Sequence, residues 1–328
     1  MNKLRARVIS QEKRLYKISN GTEVKTASVS GKYRYEVLSV SDYPAVGDYV
    51  IAEWGDNGSN AIITELLPRT SCFIRKAAGT EKQEQVVAAN IDTVFICMSL
   101  NNNYNLRRLE RYLSVTYDSG AVPVVVLTKS DLCTDIESKI SETQSIAMGA
   151  DIIAISSLDG NYDKVMKYIL PGKTMAFIGS SGVGKSTLIN KLTGKDSLAT
   201  REVGSEDKGR HTTTRRELIT LANGAFVIDT PGMREIGMWD NNDGIDTAFS
   251  DIDELSHACK YSDCTHTSEP GCAVLKALSD GTLDAARLES YRKLKSENEY
   301  TADNSRYLEA KRAKFKEIAK INKFNKKK

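Results

Sequence analysis

The sequence lacks any long apolar run. Val122–Leu127 is among the longest, and it falls far short of the ~20 residues a helix needs to span a bilayer. Met1 to Ser10 is polar and basic, with no apolar stretch of the signal-peptide kind. These absences predict a soluble, cytoplasmic protein with no membrane partner. An excess of one charge is also missing: Lys+Arg 46 stand against Asp+Glu 43, a formal net charge of +3. Overall charge therefore does not point to nucleic acid, and the local distribution has to be followed. Nothing suggests a coiled coil, and a monomer is expected. Histidine is scarce, with only three in the chain. Cysteine is not: Cys72, Cys97, Cys133, Cys259, Cys264 and Cys272 are present, three of them clustered late. In an intracellular chain such a cluster favours a metal over disulfides.

Among the features present, the most specific is Gly179-Ser180-Ser181-Gly182-Val183-Gly184-Lys185-Ser186-Thr187, a phosphate loop of the G-x-x-x-x-G-K-[ST] type. The apolar run Met175–Ile178 before it reads as a buried strand. Leu188, Ile189 and Leu192 after it have helical spacing. Glycines let backbone N–H groups wrap phosphates, and the helix adds its positive dipole end. Lys185 would place a charge on the outer phosphates, and the Ser186 hydroxyl could ligate Mg²⁺.

A length of 328 residues predicts two or three domains. Residues 1–68 read as a small all-β unit, with strands expected at Arg5–Ile9, Leu15–Ile18, Val24–Thr26, Tyr33–Val37 and Tyr49–Ala52. A Greek-key barrel such as the OB-fold fits about five short strands. Basic and aromatic residues interleave there: Arg5, Arg7, Lys13, Arg14, Tyr16, Lys17, Lys32, Tyr33, Arg34 and Tyr35. They suit a face that stacks bases and tracks phosphates, or equally a solvated strand face over core tyrosines. Leu67-Pro68-Arg69-Thr70 reads as a linker.

Two buried strands follow, Ile91–Met98 and Val122–Leu127, with a helix between them marked by Leu106, Leu109 and Leu113. The second strand ends in Thr128-Lys129-Ser130-Asp131, which resembles the guanine-specificity motif [NT]-K-x-D. The Asp131 carboxylate can accept from guanine N1–H and the N2 amine, a donor pair adenine lacks. The Lys129 stem can lie on the base. The alternative is a turn with Asp as a helix cap. A third strand, Asp151–Ile155, ends in Ser156-Ser157, where GTPases place a loop that touches guanine O6.

After the phosphate loop, Lys195–Arg216 is polar and carries Gly209-Arg210-His211-Thr212-Thr213-Thr214. It resembles switch I, whose threonine, here Thr213, ligates Mg²⁺. Glu217–Leu221 and Ala225–Ile228 read as a hairpin running into Asp229-Thr230-Pro231-Gly232, the D-x-x-G of switch II. Asp229 would hold Mg²⁺ through water, and the Gly232 amide would face the γ-phosphate. The base motifs precede the phosphate motifs, so the expected fold is a circularly permuted α/β P-loop GTPase domain over 69–236.

Residues 237–328 are expected to form a mainly helical zinc-binding domain with a basic end. Cys259, Cys264, His266 and Cys272 lie within fourteen residues and form the closed Cys₃His set of a structural zinc site. Beyond Ala310 the chain is rich in lysine, which suits phosphate contacts or a frayed soluble terminus.

Ala88-Ala89-Asn90-Ile91-Asp92, the phosphate loop, Gly209–Thr214, Asp229–Gly232 and the Cys₃His spacing together resemble the ribosome small subunit-dependent GTPase A family (RsgA, also called YjeQ), over nearly the whole chain. Thr128 in place of Asn is a variant that family accepts. The resemblance implies an OB-fold contacting rRNA, and a ribosome biogenesis GTPase that binds the small subunit late in its maturation. It further implies hydrolysis of GTP to GDP and phosphate, stimulated by the subunit. Two other classes stay open, a ribosome-independent signalling GTPase and an RNA-binding module with a decayed G domain. In Ras-like enzymes a glutamine after D-x-x-G orients the attacking water; here Met233 stands there and cannot. His211 is the candidate to replace it, unless it only packs or contacts RNA. His266 is assigned to zinc.

Overall fold

The computed structural model describes residues 2–12, 14–37, 39–55, 60–76, 84–156, 162–194, 216–229 and 243–299. His211, Thr213, Ser157, Gly232 and the lysine-rich end all lie outside them. The chain divides into two compact units, Met1–Gly237 and Met238–Lys328.

The first unit begins with strands β1 (Asn2–Glu12), β2 (Leu15–Ser19), β3 (Val24–Val29), β4 (Tyr49–Trp54) and β5 (Ala61–Leu66). The order β1-β2-β3-β5-β4 closes through a second pairing of β1 with β4, giving a five-stranded barrel. Alternation along the strands sends Val8, Ile18, Ala27, Val50, Ala52 and Ile63 inward to a dry core. A register shift between Val8 and Ser10 lets one long β1 serve β4 with its first half and β2 with its second.

The strand expected at Tyr33–Val37 is a helix, Gly31–Glu36. Its alternating tyrosines suggest a strand, but the Ser30 side chain accepts from the Tyr33 amide and caps a helical turn. The fifth strand is instead Ala61–Leu66. The proposed basic-aromatic face is also divided. Arg7 and Tyr16 are buried, whereas Arg5, Arg14, Lys17, Arg34 and Tyr35 are exposed.

Leu67–Thr70 is clamped rather than loose. Arg69 donates to both carboxylate oxygens of fully buried Asp48, at 2.9 and 2.7 Å, and to the Ser41 and Tyr43 carbonyls. A hairpin the sequence did not announce follows, β6 (Cys72–Lys76) with β7 (Glu84–Ala89).

The remaining strands are β8 (Thr93–Ser99), β9 (Val122–Thr128), β10 (Asp151–Ala154), β11 (Thr174–Ile178), β12 (Arg216–Thr220) and β13 (Phe226–Asp229). They stand in the order β10-β9-β8-β11-β13-β12. All neighbours are parallel except β12, which runs antiparallel to β13. Chain order moves outward from β8 to β10 on one side and from β11 to β13 on the other. A topological switch point therefore lies between β8 and β11, where ligands of such sheets bind beyond the carboxyl ends. The strands are nearly continuous apolar runs because helices cover them. Phe95, Val124, Val126, Met175, Phe177, Val183, Leu188 and Ile189 form one core.

The sheet does not stop at β12, which pairs with β1 of the barrel, Ser10 opposite Glu217 and Gln11 opposite Arg216. Asn90 of the Ala88–Asp92 stretch fastens the same seam. Its side chain accepts from the Thr70 amide and donates to the Gly47 carbonyl, and it adopts a left-handed φ of 54°. Buried Arg7 reaches across from β1 to Thr174 Oγ1 at 2.6 Å, with its guanidinium over the Phe226 ring. Burial lowers its pKa.

In the second unit, helices Asp243–Ala248, Ser250–Ser256, Ala273–Ser279 and 285–299 pack around Ile245, Phe249, Ile252, Val274, Leu288 and Leu294. Arg287 ties two of these helices through a bidentate pair with Asp251 and lies over the Phe249 ring. Among the described residues, no helix is long and apolar enough to cross a membrane.

Candidate nucleotide site and metal centre

The phosphate loop leaves β11 at the switch point. Gly179 has a φ of 139°, and a Cβ there would lie 2.2 Å from the Cys97 carbonyl oxygen of β8, so only glycine fits. Gly182 and Gly184 also have positive φ, at 76° and 92°, and Gly184 starts the helix Lys185–Thr193. Glycines in these conformations let a loop turn its amides toward an anion, beside the positive end of the helix that follows. Lys185 is buried, and its ammonium is held inside the loop by the Gly179 carbonyl at 2.6 Å and by the Ser180 carbonyl. Ser186 and Thr187 stand on the first helical turn, half-buried.

Thr128, at the end of β9, joins the base motif to this loop. Its hydroxyl donates to the Val183 carbonyl at 2.6 Å. Lys129 then takes a left-handed conformation, φ 56°. That turn carries Ser130 and Asp131 over the end of β10, where the Ser130 amide donates to the Ile155 carbonyl. Asp131 is exposed, and Ser156 donates to its Oδ1 at 2.6 Å. A side-chain role for Ser156 goes beyond the sequence reading, which used only its loop position. The structure thus brings Thr128, Lys129, Ser130, Asp131 and Ser156 to the same sheet end as Gly179–Thr187. Asp229 ends β13 on that side, parallel to β11.

Two residues at this site escaped the sequence reading. Asn103 donates to Ser180 Oγ at 2.9 Å, and Arg108 donates to the same oxygen at 3.1 Å and to Asn103 Oδ1 at 2.6 Å. Asn103 lies in the connection after β8 and Arg108 on the helix Leu106–Ser119 that follows, and both brace the second residue of the phosphate loop. No motif marks them, because their role depends on β8 and β11 being neighbours.

In the second unit, the ligand atoms of Cys259, Cys264, His266 and Cys272 all lie within 4.8 Å of one another. Tetrahedral zinc bonds of about 2.3 Å to sulfur and about 2.0–2.1 Å to nitrogen require S···S near ~3.8 Å and S···N near ~3.6 Å. The observed Cys259–Cys272 separation is 3.8 Å, and His266 Nδ1 lies 3.6 and 3.4 Å from those two sulfurs. The set fits zinc. Backbone amides of Ala273 and Leu275 donate to the Cys259 and Cys272 sulfurs. Glu269 gathers the Thr265, Thr267 and Ser268 amides and the Thr265 hydroxyl, and so shapes the loop between ligands. Those bonds, led by the Thr265 hydroxyl, hold its carboxyl far below the ordinary carboxylate range.

Comparison with known proteins agrees with this geometry. The family model "RsgA GTPase" matches residues 66–239. The Small ribosomal subunit biogenesis GTPase RsgA 2 of Lactiplantibacillus plantarum is 48% identical over 306 residues, covering 92% of this chain and 86% of that protein. RsgA 1 of Oceanobacillus iheyensis is 42% identical over 328 residues, covering 98% and 93%. The crystal structure of YjeQ from Thermotoga maritima superposes with a TM-score of 0.69 at 26% identity, covering 90% of this chain and 99% of that one. YloQ, described as a circularly permuted GTPase, shares the fold at a TM-score of 0.65, covering 91% and 96% at 24% identity. A phosphate loop and a base motif joined at the switch point of a permuted sheet, a five-stranded barrel before them and a Cys₃His cluster after them place this chain in the RsgA GTPase family.

Proposed function

We propose that this protein is a GTPase that binds the small ribosomal subunit late in its maturation and hydrolyses GTP to GDP and phosphate when the subunit stimulates it. The observation that carries the reading is the hydrogen bond from Thr128 to the Val183 carbonyl. It locks a guanine-reading turn to a phosphate loop, so one ligand must offer both guanine and phosphates. The names of the relatives supply the small subunit as the setting.

On this reading Asp131 accepts from guanine N1–H and N2, Lys129 covers the base, and Ser156 and Ser157 flank O6. Gly179–Thr187 and Gly232 hold the phosphates. Mg²⁺, which neutralises charge on the transferred phosphoryl group, would be held by Ser186, Thr213 and Asp229. His211 positions the water. Zinc at Cys259, Cys264, His266 and Cys272 is structural, since four protein ligands leave no open position. The barrel (1–68) meets rRNA, the G domain spans 69–236 and the zinc-binding helical domain 237–328. The protein works as a cytoplasmic monomer. GTP turnover measured with and without purified small subunits tests the reading.

A further inference from the structure

The Ser180 side chain has a hydrogen-bonding pattern that a backbone cradle for phosphates does not explain. Its hydroxyl oxygen receives two bonds, from Asn103 Nδ2 at 2.9 Å and from Arg108 Nη1 at 3.1 Å. The direction of both is fixed. A guanidinium can only donate, so Ser180 Oγ accepts from Arg108. The same Nη1 lies 2.6 Å from the other end of the Asn103 carboxamide, which must therefore be its oxygen. The Asn103 NH₂ group is left facing Ser180. A hydroxyl has two lone pairs and one proton. Both lone pairs are taken, so the Ser180 O–H can only donate. Among the described residues it has no acceptor.

Both donors are anchored away from the phosphate loop. Asn105 caps the helix Leu106–Ser119 and accepts from the Arg108 amide at 2.9 Å. Asn101 Oδ1 accepts from the Ser99 hydroxyl at the end of β8, at 2.8 Å, and from the Asn103 amide at 3.0 Å. On its other side, the Ser180 carbonyl accepts from the Lys185 ammonium. The lysine of such a loop serves the outer phosphates, so Ser180 belongs to the outer-phosphate end of the site.

We propose that the Ser180 hydroxyl donates to an oxygen of the terminal phosphate of GTP, and that Asn103 and Arg108 are positioning residues that hold it in the donor role. The proposal rests on the reading of this site as a GTPase site and deepens it, because a side chain then helps to tell GTP from GDP. A serine with free lone pairs can turn to accept from a neighbouring amide. Here that alternative is closed, and the proton is presented to whatever acceptor enters. A phosphate oxygen is a charged acceptor, and such bonds are among the stronger ones.

The test uses the full chain with Mg²⁺ and measures displacement of a fluorescent GDP by unlabelled GDP or by the non-hydrolysable imido analogue of GTP. Ser180→Ala should weaken the triphosphate about tenfold and change GDP affinity by less than about twofold. Asn103→Asp probes the positioning role. A carboxylate still accepts from Arg108 but has no donor for Ser180, so the hydroxyl turns toward it and its proton is withdrawn from the phosphate. Triphosphate affinity should fall at least as far as in Ser180→Ala. In the Ser180→Ala background the same change should do little, because its effect runs through the missing hydroxyl. Repulsion between the new carboxylate and the nucleotide, or a general loosening of the loop, would persist in that background. The proposal is overturned if Ser180→Ala binds both nucleotides as the parent does, or loses both equally. It is also overturned if Asn103→Asp weakens the triphosphate as much in the Ser180→Ala background as in the parent. A parent chain that binds neither guanine nucleotide sinks the GTPase reading itself, and the proposal with it.

Discussion

Asp131 is an exposed carboxylate that, among the described residues, is held by Ser156. Ser156 donates to Oδ1 at 2.6 Å, and each oxygen keeps a lone pair for guanine. Asparagine at 131 would present an NH₂ group where guanine also presents a donor. Asp131→Asn should therefore weaken GTP binding at least tenfold and reduce the preference over ATP, as titration of a fluorescent guanine nucleotide would show. Unchanged affinity and unchanged preference would falsify this role. His211 is argued from chemistry alone: Met233 cannot orient a water, and few other imidazoles exist in the chain. His211→Ala should lower subunit-stimulated turnover about a hundredfold or more, with GTP affinity nearly intact. Stimulated turnover that survives the change would assign the water to another residue or to the RNA. The motifs themselves were legible in the sequence because their residue types recur at fixed spacing. Asn103 and Arg108 were not, since bracing Ser180 requires knowing that β8 lies beside β11.

At the scale of elements, apolar runs bounded by polar turns marked β8, β9, β10 and β11 clearly, because strands buried on both faces have few other compositions. The short barrel segments were harder. Tyr33–Val37 alternates like a strand, and only the Ser30 cap turns it into a helix. Arg69 read as linker because its partner, Asp48, is distant in sequence. That pair is almost fully removed from water, with side-chain exposures of 16% and 0%. Arg69→Ala should cost about 3 kcal/mol or more, since it strands a buried carboxylate. For a unit of this size, thermal denaturation should show a drop on the order of 10 °C; a shift within error would mean that Asp48 finds another donor. The Cys₃His loop was readable because close spacing confines all four donors. The 3.4–3.8 Å separations among Cys259, His266 and Cys272 agree with tetrahedral zinc. Cys264→Ser should reduce zinc content below one per chain and destabilise the second unit, because metal binding there is also folding energy. Elemental analysis finding no zinc in the unmodified protein would contradict the assignment.

At the scale of the molecule, permutation changes what the G domain is joined to. With the base motifs placed first, the D-x-x-G stretch comes just before the second unit in the chain, and β1 of the barrel pairs with the outermost G-domain strand, β12. Barrel and G domain thus share one sheet, reinforced by Arg7, Asn90 and Arg69. The order of motifs announced the permutation. The shared sheet was not foreseeable, since pairing between β1 and β12 joins residues some two hundred positions apart and leaves no local pattern. An intrinsic catalyst of the Ras type is missing at Met233, so the protein should turn over GTP slowly by itself. The most direct test is single-protein GTP hydrolysis measured by phosphate release, with and without purified small ribosomal subunits at matched Mg²⁺ and salt. The account predicts slow release alone and an acceleration of about a hundredfold or more with subunits, the order of effect a newly positioned catalytic group supplies. Equal rates in the two conditions would contradict it.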